Sequence, residues 1–276
     1  DMFVRTVSEG DFSLVLDRTP FYGEGGGQVG DTGTIMEQGL LVNVSDTQKS
    51  DGVYVHMCTM VNGTLSVGDS VKASVNRTRR ENIKRNHSGC HLLQAALRKV
   101  LGTHVEQAGS YVDEGHLRFD FTHFSPLTKE ELNTVEVLVN TNILVGNPVI
   151  TEVMNIEDAK KKAAMMLFGE KYGSVVRVVS MGNASVEFCG GTHVDNTSKI
   201  GLFKIISESS VASGVRRIEA VTGNGVLGLI NEKESIIADT AKELKVQNAN
   251  DIAARAAQLQ SELAEAKKEI DTLNTK

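Results

Sequence analysis

The stretch NHSGCHLLQAALRKVLG, residues 86–102, decides how the middle of this chain is read. Ile83, Leu92, Leu93, Ala96, Leu97 and Val100 fall at helical spacing, and Gly102 is a stop signal. The pattern predicts a helix over 77–101 that carries His87 and His91 on one face, one turn apart. A second stretch, EFCGGTHVD at 187–195, places Cys189 and His193 four residues apart around Gly190 and Gly191. Two glycines let the backbone turn so that both side chains point inward. Three imidazoles and one thiolate form a donor set that selects zinc over magnesium or calcium. Cys90 adjoins His91 but is rotated by about 100° around a helix, so it reads as a packing residue. His56, His104, His116 and His123 show no partnered spacing and read as surface or core residues.

Outward from this helix the texture changes on both sides. Residues 1–76 hold β-rich runs, SLVLD, GTIM, LLVNVSD, GVYVHMCTMV and SVKASV, split by glycine-containing turns. The Asn-Gly pair in VNGTL, 61–65, is of the kind that closes a hairpin, and the segment as a whole suggests a small β-barrel. From 103 to about 224, HLRFDF, NPVITEV, SVVRVVSM, GLFKIISESS and VRRIEAV are strand-like. TKEELNTVEVLVNTNIL and IEDAKKKAAMMLF are helix-like, and Glu157 and Asp158 suit a helix first turn. Beyond Gly228 glycine disappears, and Ile252, Ala256, Leu259, Leu263, Ala266, Ile270 and Leu273 form a heptad seam. This tail is expected to begin a helical hairpin or coiled coil, or to be one amphipathic helix. The expected class is α+β: a β-barrel over 1–76, a mixed α/β domain with a zinc site over 77–225, and a helical segment over 226–276.

The 276 residues suffice for one large or two modest cores, and 40% hydrophobic with 23% charged content is ordinary for a globular chain. No apolar run is long enough for a membrane span, and the N-terminus lacks a signal pattern. The chain opens on Asp1 and is read as a piece of a longer protein. Its three cysteines argue against a disulfide framework and for a cytoplasmic setting. A net charge of −6 argues weakly against nucleic acid as a partner. Yet Arg77, Arg79, Arg80, Lys84, Arg85, Arg98 and Lys99 face a single acid, Glu81, across 77–99. Such a patch suits a phosphate backbone, or is simply a solvated helical face.

RNHSGCHLLQAALRKVLGTHVEQAGS, HLRFDFTH, EFCGGTHV and SGVRRIEAVTG, in that order, resemble the editing region of alanyl-tRNA synthetases. TPFYGEGGGQVGDTG, 19–33, resembles the glycine-rich loop of the barrel that precedes it, so the resemblance covers residues 1 to about 225. The tail is similar to the helical start of the region leading to the C-terminal part of the same enzymes. The same editing fold occurs in threonyl-tRNA synthetases and in free-standing alanyl-tRNA trans-editing proteins. The resemblance implies an aminoacyl-tRNA deacylase that cleaves seryl- or glycyl-tRNA(Ala) and spares alanyl-tRNA(Ala). The aminoacylation domain, with its ATP site, would lie outside this chain. Carried over, one zinc ion falls on His87, His91, Cys189 and His193, and the editing-site glutamine on Gln107. The family's helix usually reads Asn-His-Ser-Ala-Thr-His, whereas this chain has Gly89 and Cys90, which alters the polarity beside the ion.

Zinc would either polarise a water or hold the substrate's amino group. Gln107 would donate to the developing oxyanion or position the water. A pocket sized for alanine cannot strongly reject serine or glycine, so a second site rewarding the serine hydroxyl is needed. Thr192 is a further polar candidate for that site. Backbone contacts to tRNA are expected from Arg77, Arg79, Arg80, Lys84, Arg85, Arg216 and Arg217. Asp120, within FDF, suits a structural hydrogen bond. The loop GEGGGQVGD, 23–31, is either a plain hairpin loop or a backbone approach to phosphate or the terminal adenosine, and without a Walker-type lysine it is no nucleoside-triphosphatase loop. The alternatives are a non-catalytic zinc-stabilised RNA-binding module, a generic metallohydrolase and a free-standing editing protein. Lack of a glutamate within the His-xxx-His spacing disfavours peptidase chemistry. Self-association through the tail helix is a further expectation.

Overall fold

The computed structural model describes residues 3–162, 165 and 173–275. It divides into two compact units, Asp1–Gly225 and Val226–Lys276. Among the described residues no helix is long and apolar enough to cross a membrane.

At the centre of the first unit lies α1, Arg77–Leu101. Asn76 caps it, its side chain accepting from Arg79 N, and Gly102 ends it. Its first turn carries arginines, against the helix dipole. Asp31, buried in the preceding loop, offsets this by receiving the Arg80 guanidinium.

One face of α1 packs on a four-stranded antiparallel sheet, ordered Phe203–Ala212, Val215–Thr222, Leu117–Thr122, Gln107–Val112. Phe119, Phe121, Ile218 and Leu117 are fully buried there with Leu92, Leu93 and Leu97. α2, Lys129–Val145, packs beside α1 through Val135, Val139 and Ile143. A Thr128–Glu131 capping box starts it and left-handed Gly146 ends it. A three-stranded sheet, Val149–Asn155, Val175–Met181, Ser185–Phe188, completes this part. Of the helix expected over 156–168, Ile156–Lys161 is helical (α3), whereas Lys162 is a turn and Met165 instead forms an isolated bridge with Glu187. Positions 163–164 and 166–168 of that expectation lie outside the described residues. Gln107–Val112 is a strand that hydrophobic patterning missed, whereas Ser185–Phe188 is a β-like run leading into Cys189.

The N-terminal strands differ from expectation in two ways. They form a five-stranded antiparallel sheet ordered Asp11–Val15, Val53–Asn62, Leu40–Ser50, Gly33–Glu37, Lys72–Val75, with a separate pair, Thr6–Val7 and Leu65–Ser66. Among the described residues the edge strands Asp11–Val15 and Lys72–Val75 do not pair, so the sheet is open where a closed barrel was expected. Nor does Asn62-Gly63 close a hairpin, because Leu65–Ser66 pairs with Thr6–Val7. Two-residue hairpins occur instead at Gln38-Gly39, between Glu37 and Leu40, and at Asp51-Gly52, between Ser50 and Val53, the latter with φ of 48° and 83°. Positive φ at both central residues is what a type I′ turn demands.

The glycine-rich loop docks on the edge of the four-stranded sheet. Val112 N donates to Gly27 O (2.8 Å) and Val29 N to Val112 O (3.1 Å). A Cβ at Gly27 would overlap Ser110, which is why this approach requires glycine. The loop thereby covers an otherwise exposed strand edge.

The second unit holds most of α4, Asn224–Glu243, and all of α5, Ile252–Asn274. The heptad seam lies on α5, and no residue of that helix is buried.

Candidate metal centre and its cavity

Nine consecutive residues of α1, Asn86–Gln94, are buried. A helix buried on all sides is ordinarily apolar, yet Asn86, His87, Ser88, His91 and Gln94 are among them. Buried polar groups are costly unless partnered. Asn86 donates to Asp113 O (2.8 Å) and accepts from Thr222 Oγ1 (2.6 Å). The histidines turn to Cys189 and His193.

The ligand atoms of His87, His91, Cys189 and His193 all lie within 4.8 Å of one another. Cys189 Sγ is 3.4 Å from His87 Nε2 and 3.2 Å from His193 Nε2. Two of the imidazoles spend their Nδ1 on a hydrogen bond, and the third, His91, turns its Nδ1 toward a carboxylate without hydrogen-bond geometry. His87 Nδ1 meets Gln28 Oε1 at 2.7 Å, His193 Nδ1 meets Ser88 Oγ at 3.1 Å, and His91 Nδ1 is 3.1 Å from Glu187 Oε2. Outer partners of this kind fix the tautomer and ring orientation of metal-binding histidines. Gln28 Oε1 also accepts from Thr192 N (2.8 Å) and Thr192 Oγ1 (3.2 Å). A backbone N–H can only donate, so the atom facing it is the amide oxygen. His87 Nδ1 therefore carries the proton, leaving the Nε2 lone pair for an ion.

The turn that brings Cys189 and His193 together is clamped by Arg177, whose Nη1 donates to Cys189 O (2.6 Å) and Gly191 O (2.7 Å). A Cβ at Gly191 would overlap the His87 ring, whereas one at Gly190 would meet nothing within 4 Å. The two glycines thus differ: one permits contact between segments, and the other faces open space.

Burial first, then neighbouring His91 and Arg177, holds His87 well below the usual histidine range. Burial, then His87 and His91, does the same for His193, and burial lowers His91 to about 4. All three are neutral near pH 7, the form that binds metal. Burial, followed by Glu187 and Cys189, pushes the Cys90 thiol up, so it stays protonated. Cys90 belongs to the core and also borders the cavity, but it lies outside the four-donor group. The donor types, their convergence and the hydrogen-bonded Nδ1 atoms of His87 and His193 fit a zinc ion.

The cluster opens into a cavity of about 460 Å³ bordered by Gln107, Ser110, Gln94, Tyr22 and the turn Cys189–Gly191. Gln107 Nε2 donates to Ser110 Oγ (3.2 Å). Thr192 does not border this cavity; its polar atoms are engaged with Gln28. Gln28, Glu187, Ser88 and Arg177 are parts of the site that the motifs did not reveal. Glu187 was findable, since strand alternation places it in phase with Cys189.

The cations expected to touch tRNA are mostly engaged within the protein. Arg216 is buried with its Nε on Glu208 (2.5 Å), and Arg217 grips Asp120 through two bonds (2.7 and 2.8 Å). Asp120 thus has the structural hydrogen bonds expected of it. Arg79 reaches Gly30 O and Glu114, Arg80 holds Asp31, Lys84 pairs with Glu81, and Arg85 reaches Asn82 and Lys199 O. Arg77 is exposed, with no acid within ion-pair distance among the described residues.

Against known proteins, residues 176–219 match the family model described as the threonyl and alanyl tRNA synthetase second additional domain. Residues 1–79 match a model described as class II (A) tRNA synthetases. The chain is 50% identical over 278 aligned positions, 100% of its length, to an alanine–tRNA ligase of Acetivibrio thermocellus. The chain belongs to the alanine–tRNA ligase family. It is 48% identical to the enzyme of Bacillus velezensis and 47% identical to that of Haemophilus influenzae, each over 99% of the chain. The chain spans 31–32% of the length of these ligases. The second-additional-domain match runs from Val176 to Glu219 and so takes in Arg177, Glu187, Cys189 and His193, half of the donor cluster and two of its supports.

Proposed function

We propose that this part of an alanine–tRNA ligase is a zinc-dependent deacylase that hydrolyses seryl- or glycyl-tRNA(Ala). One observation carries the reading: three of the four donors, His87, His91 and Cys189, form part of the wall of an open cavity. When bound, zinc supplies Lewis acidity beside the ester. The residues of the chain do the rest. Gln28 and Ser88 hold the imidazoles of His87 and His193, Glu187 stands beside that of His91, and Arg177 holds the Cys189 turn. Gln107, fixed at a strand start by Ser110, presents an amide to the ester carbonyl or to the attacking water. The water adds to the carbonyl carbon, the ester C–O bond breaks, and the proton goes to the departing ribose hydroxyl. Gln107 and Ser110 give the serine hydroxyl polar partners that alanine cannot use.

In this reading residues 1–76 and 77–225 form the approach and the hydrolytic part, and 226–276 the helical lead into the rest of the ligase. Thr192 acts through Gln28, as a positioning residue. The tRNA backbone is met by the basic start of α1, with Arg77 the readiest cation. The setting is cytoplasmic, and the α5 seam is the place for self-association.

A closed tetrahedral shell supports a second reading, a zinc-stabilised tRNA-binding module without catalysis. Zinc-loaded protein should hydrolyse seryl-tRNA(Ala) and spare alanyl-tRNA(Ala). Gln107→Ala should retain zinc and lose roughly 10²-fold in kcat. Full zinc occupancy with no hydrolysis of either mischarged tRNA would leave the non-catalytic module.

A further inference from the structure

Gln94 ends the buried stretch of α1 at 6% exposure, and the fold leaves its side chain almost without partners. Among the described residues its one hydrogen bond runs from Nε2 to Met165 Sδ at 3.9 Å, and a thioether sulfur is a weak acceptor. Its Oε1 accepts from no described residue. A buried amide in this state calls for an explanation. Helical spacing sets Gln94 on the face of His87 and His91, within about 60° of arc. It borders the same cavity as they do. The neighbouring polar groups of that wall are engaged. Gln107 is joined to Ser110, Tyr22 Oη donates to Gly25 O (2.8 Å), and Glu187 accepts from Ser185 Oγ (2.6 Å). Gln94 Oε1 is an acceptor with nothing to accept from.

We propose that Gln94 is a specificity-determining residue, its Oε1 accepting a hydrogen bond from the hydroxyl of a seryl group. This rests on the deacylase reading and deepens it. The ester carbonyl and the amino group are common to seryl, alanyl and glycyl esters, so whatever holds them cannot tell the three apart. The hydroxyl sets serine apart, and as a donor it needs an acceptor. Gln94 supplies one a helical turn beyond His91, where the acyl side chain arrives when the ester lies at the donor cluster. An alanyl methyl in that place displaces water from Oε1 and leaves it unpaired, which is how a polar site rejects a substrate lacking its hydroxyl.

The test uses zinc-loaded protein and tRNA(Ala) whose terminal ribose carries a seryl or a 2-aminobutyryl group through a stable 3′-amide. The second group has a methyl where serine has its hydroxyl, and neither conjugate is hydrolysed. The parent should hold the seryl conjugate about ten-fold more tightly in competition binding. In Gln94→Met, close in volume but without the acceptor, that ratio should fall to about one. Gln94→Leu carries the same comparison should Gln94→Met not fold. The proposal is overturned if the parent fails to favour the seryl conjugate, or if the preference survives in the variant. Equal weakening of both conjugates, with the ratio kept, would make Gln94 a packing residue and overturns it too. Hydrolysis of ester-linked seryl-tRNA(Ala) by the parent is scored separately. A ratio that collapses as expected without any hydrolysis would sink the deacylase and leave Gln94 as the hydroxyl's partner. Hydrolysis with an unmoved ratio would sink the assignment of Gln94 alone.

Discussion

Gln28 Oε1 lies 2.7 Å from His87 Nδ1, although 59 residues separate the two in sequence. The same oxygen accepts from Thr192 N, so one amide ties the glycine-rich loop, the centre of α1 and the Cys-Gly-Gly-Thr-His turn together. Gln28→Ala removes the acceptor that fixes the His87 tautomer. Zinc affinity should fall about 10- to 100-fold, the usual effect of losing such an outer partner. Gln28→Glu keeps an acceptor and should lose less. Competition with a chromophoric chelator measures both, and equal affinities for Gln28→Ala and the parent would show that Gln28 does not orient His87.

Much of this site was legible, but unevenly so. The i, i+4 histidines stand on a helix whose apolar periodicity and terminal glycine mark its bounds, and Cys189 and His193 are marked by the glycines between them. Those are local signals. Gln28 and Ser88 reach the site only through packing between segments far apart in sequence, and no local pattern distinguishes such residues from ordinary loop or helix polars. Sheet closure is likewise non-local: strand runs show where strands are, but not whether the edges at Asp11–Val15 and Lys72–Val75 meet. The hairpin misreading has another cause. Asn62-Gly63 and Asp51-Gly52 both suit a tight turn, and only pairing with Thr6–Val7 diverts the first.

The basic segment offers a test that separates binding from folding. Arg77 is exposed, so Arg77→Ala should weaken tRNA binding across sequences and reduce the salt slope by about one unit, with Tm unchanged. Arg216→Ala should act otherwise. It leaves Glu208 buried without its partner, at a cost of about 1–2 kcal/mol, the low side because the pair lies at a sheet margin. Thermal unfolding and salt-dependent filter binding on both variants distinguish the roles. A lowered salt slope with unchanged Tm in Arg216→Ala would make it a direct phosphate contact after all.

His56 makes stability depend on pH away from the metal site. Leu14 O can only accept, so His56 Nδ1 carries the proton, and Nε2 accepts from Thr19 Oγ1. This neutral ring is buried, and burial lowers its pKa against the smaller opposing effect of the Leu14 carbonyl. With the folded value depressed, the stabilisation is complete above the unfolded value of about 6.5 and is lost as pH falls toward the folded one. Stability should therefore fall more steeply below pH 6.5 in the parent than in His56→Gln, although the variant is less stable at pH 7.5. Denaturant midpoints at pH 7.5 and 5.5 give the comparison. Identical pH slopes would show that His56 protonates as readily in the fold as outside it.

The turn glycines give the sharpest contrast, because two neighbouring alanine substitutions should differ almost completely. A Cβ at Gly191 would overlap His87 Cε1 and Nδ1 and crowd Gln28 Oε1. None of these can yield freely: His87 sits in the fully packed centre of α1, and Gln28 is fixed by Thr192 N. Relief must come from backbone movement of the turn, which Arg177 holds through Cys189 O and Gly191 O. Gly191→Ala should displace Cys189 from the imidazoles and lower zinc affinity by at least ~100-fold, comparable to losing an outer partner outright. At Gly190 a Cβ meets nothing within 4 Å, so Gly190→Ala should bind zinc as the parent does. Because Gly190 borders the cavity, its methyl group projects into acyl space and should raise KM for seryl-tRNA(Ala) more than it lowers kcat. Zinc titration with deacylation kinetics on both variants tests the pair. Equal zinc loss in Gly190→Ala and Gly191→Ala would mean that the turn needs two glycines for its own conformation, and that contact with His87 is incidental.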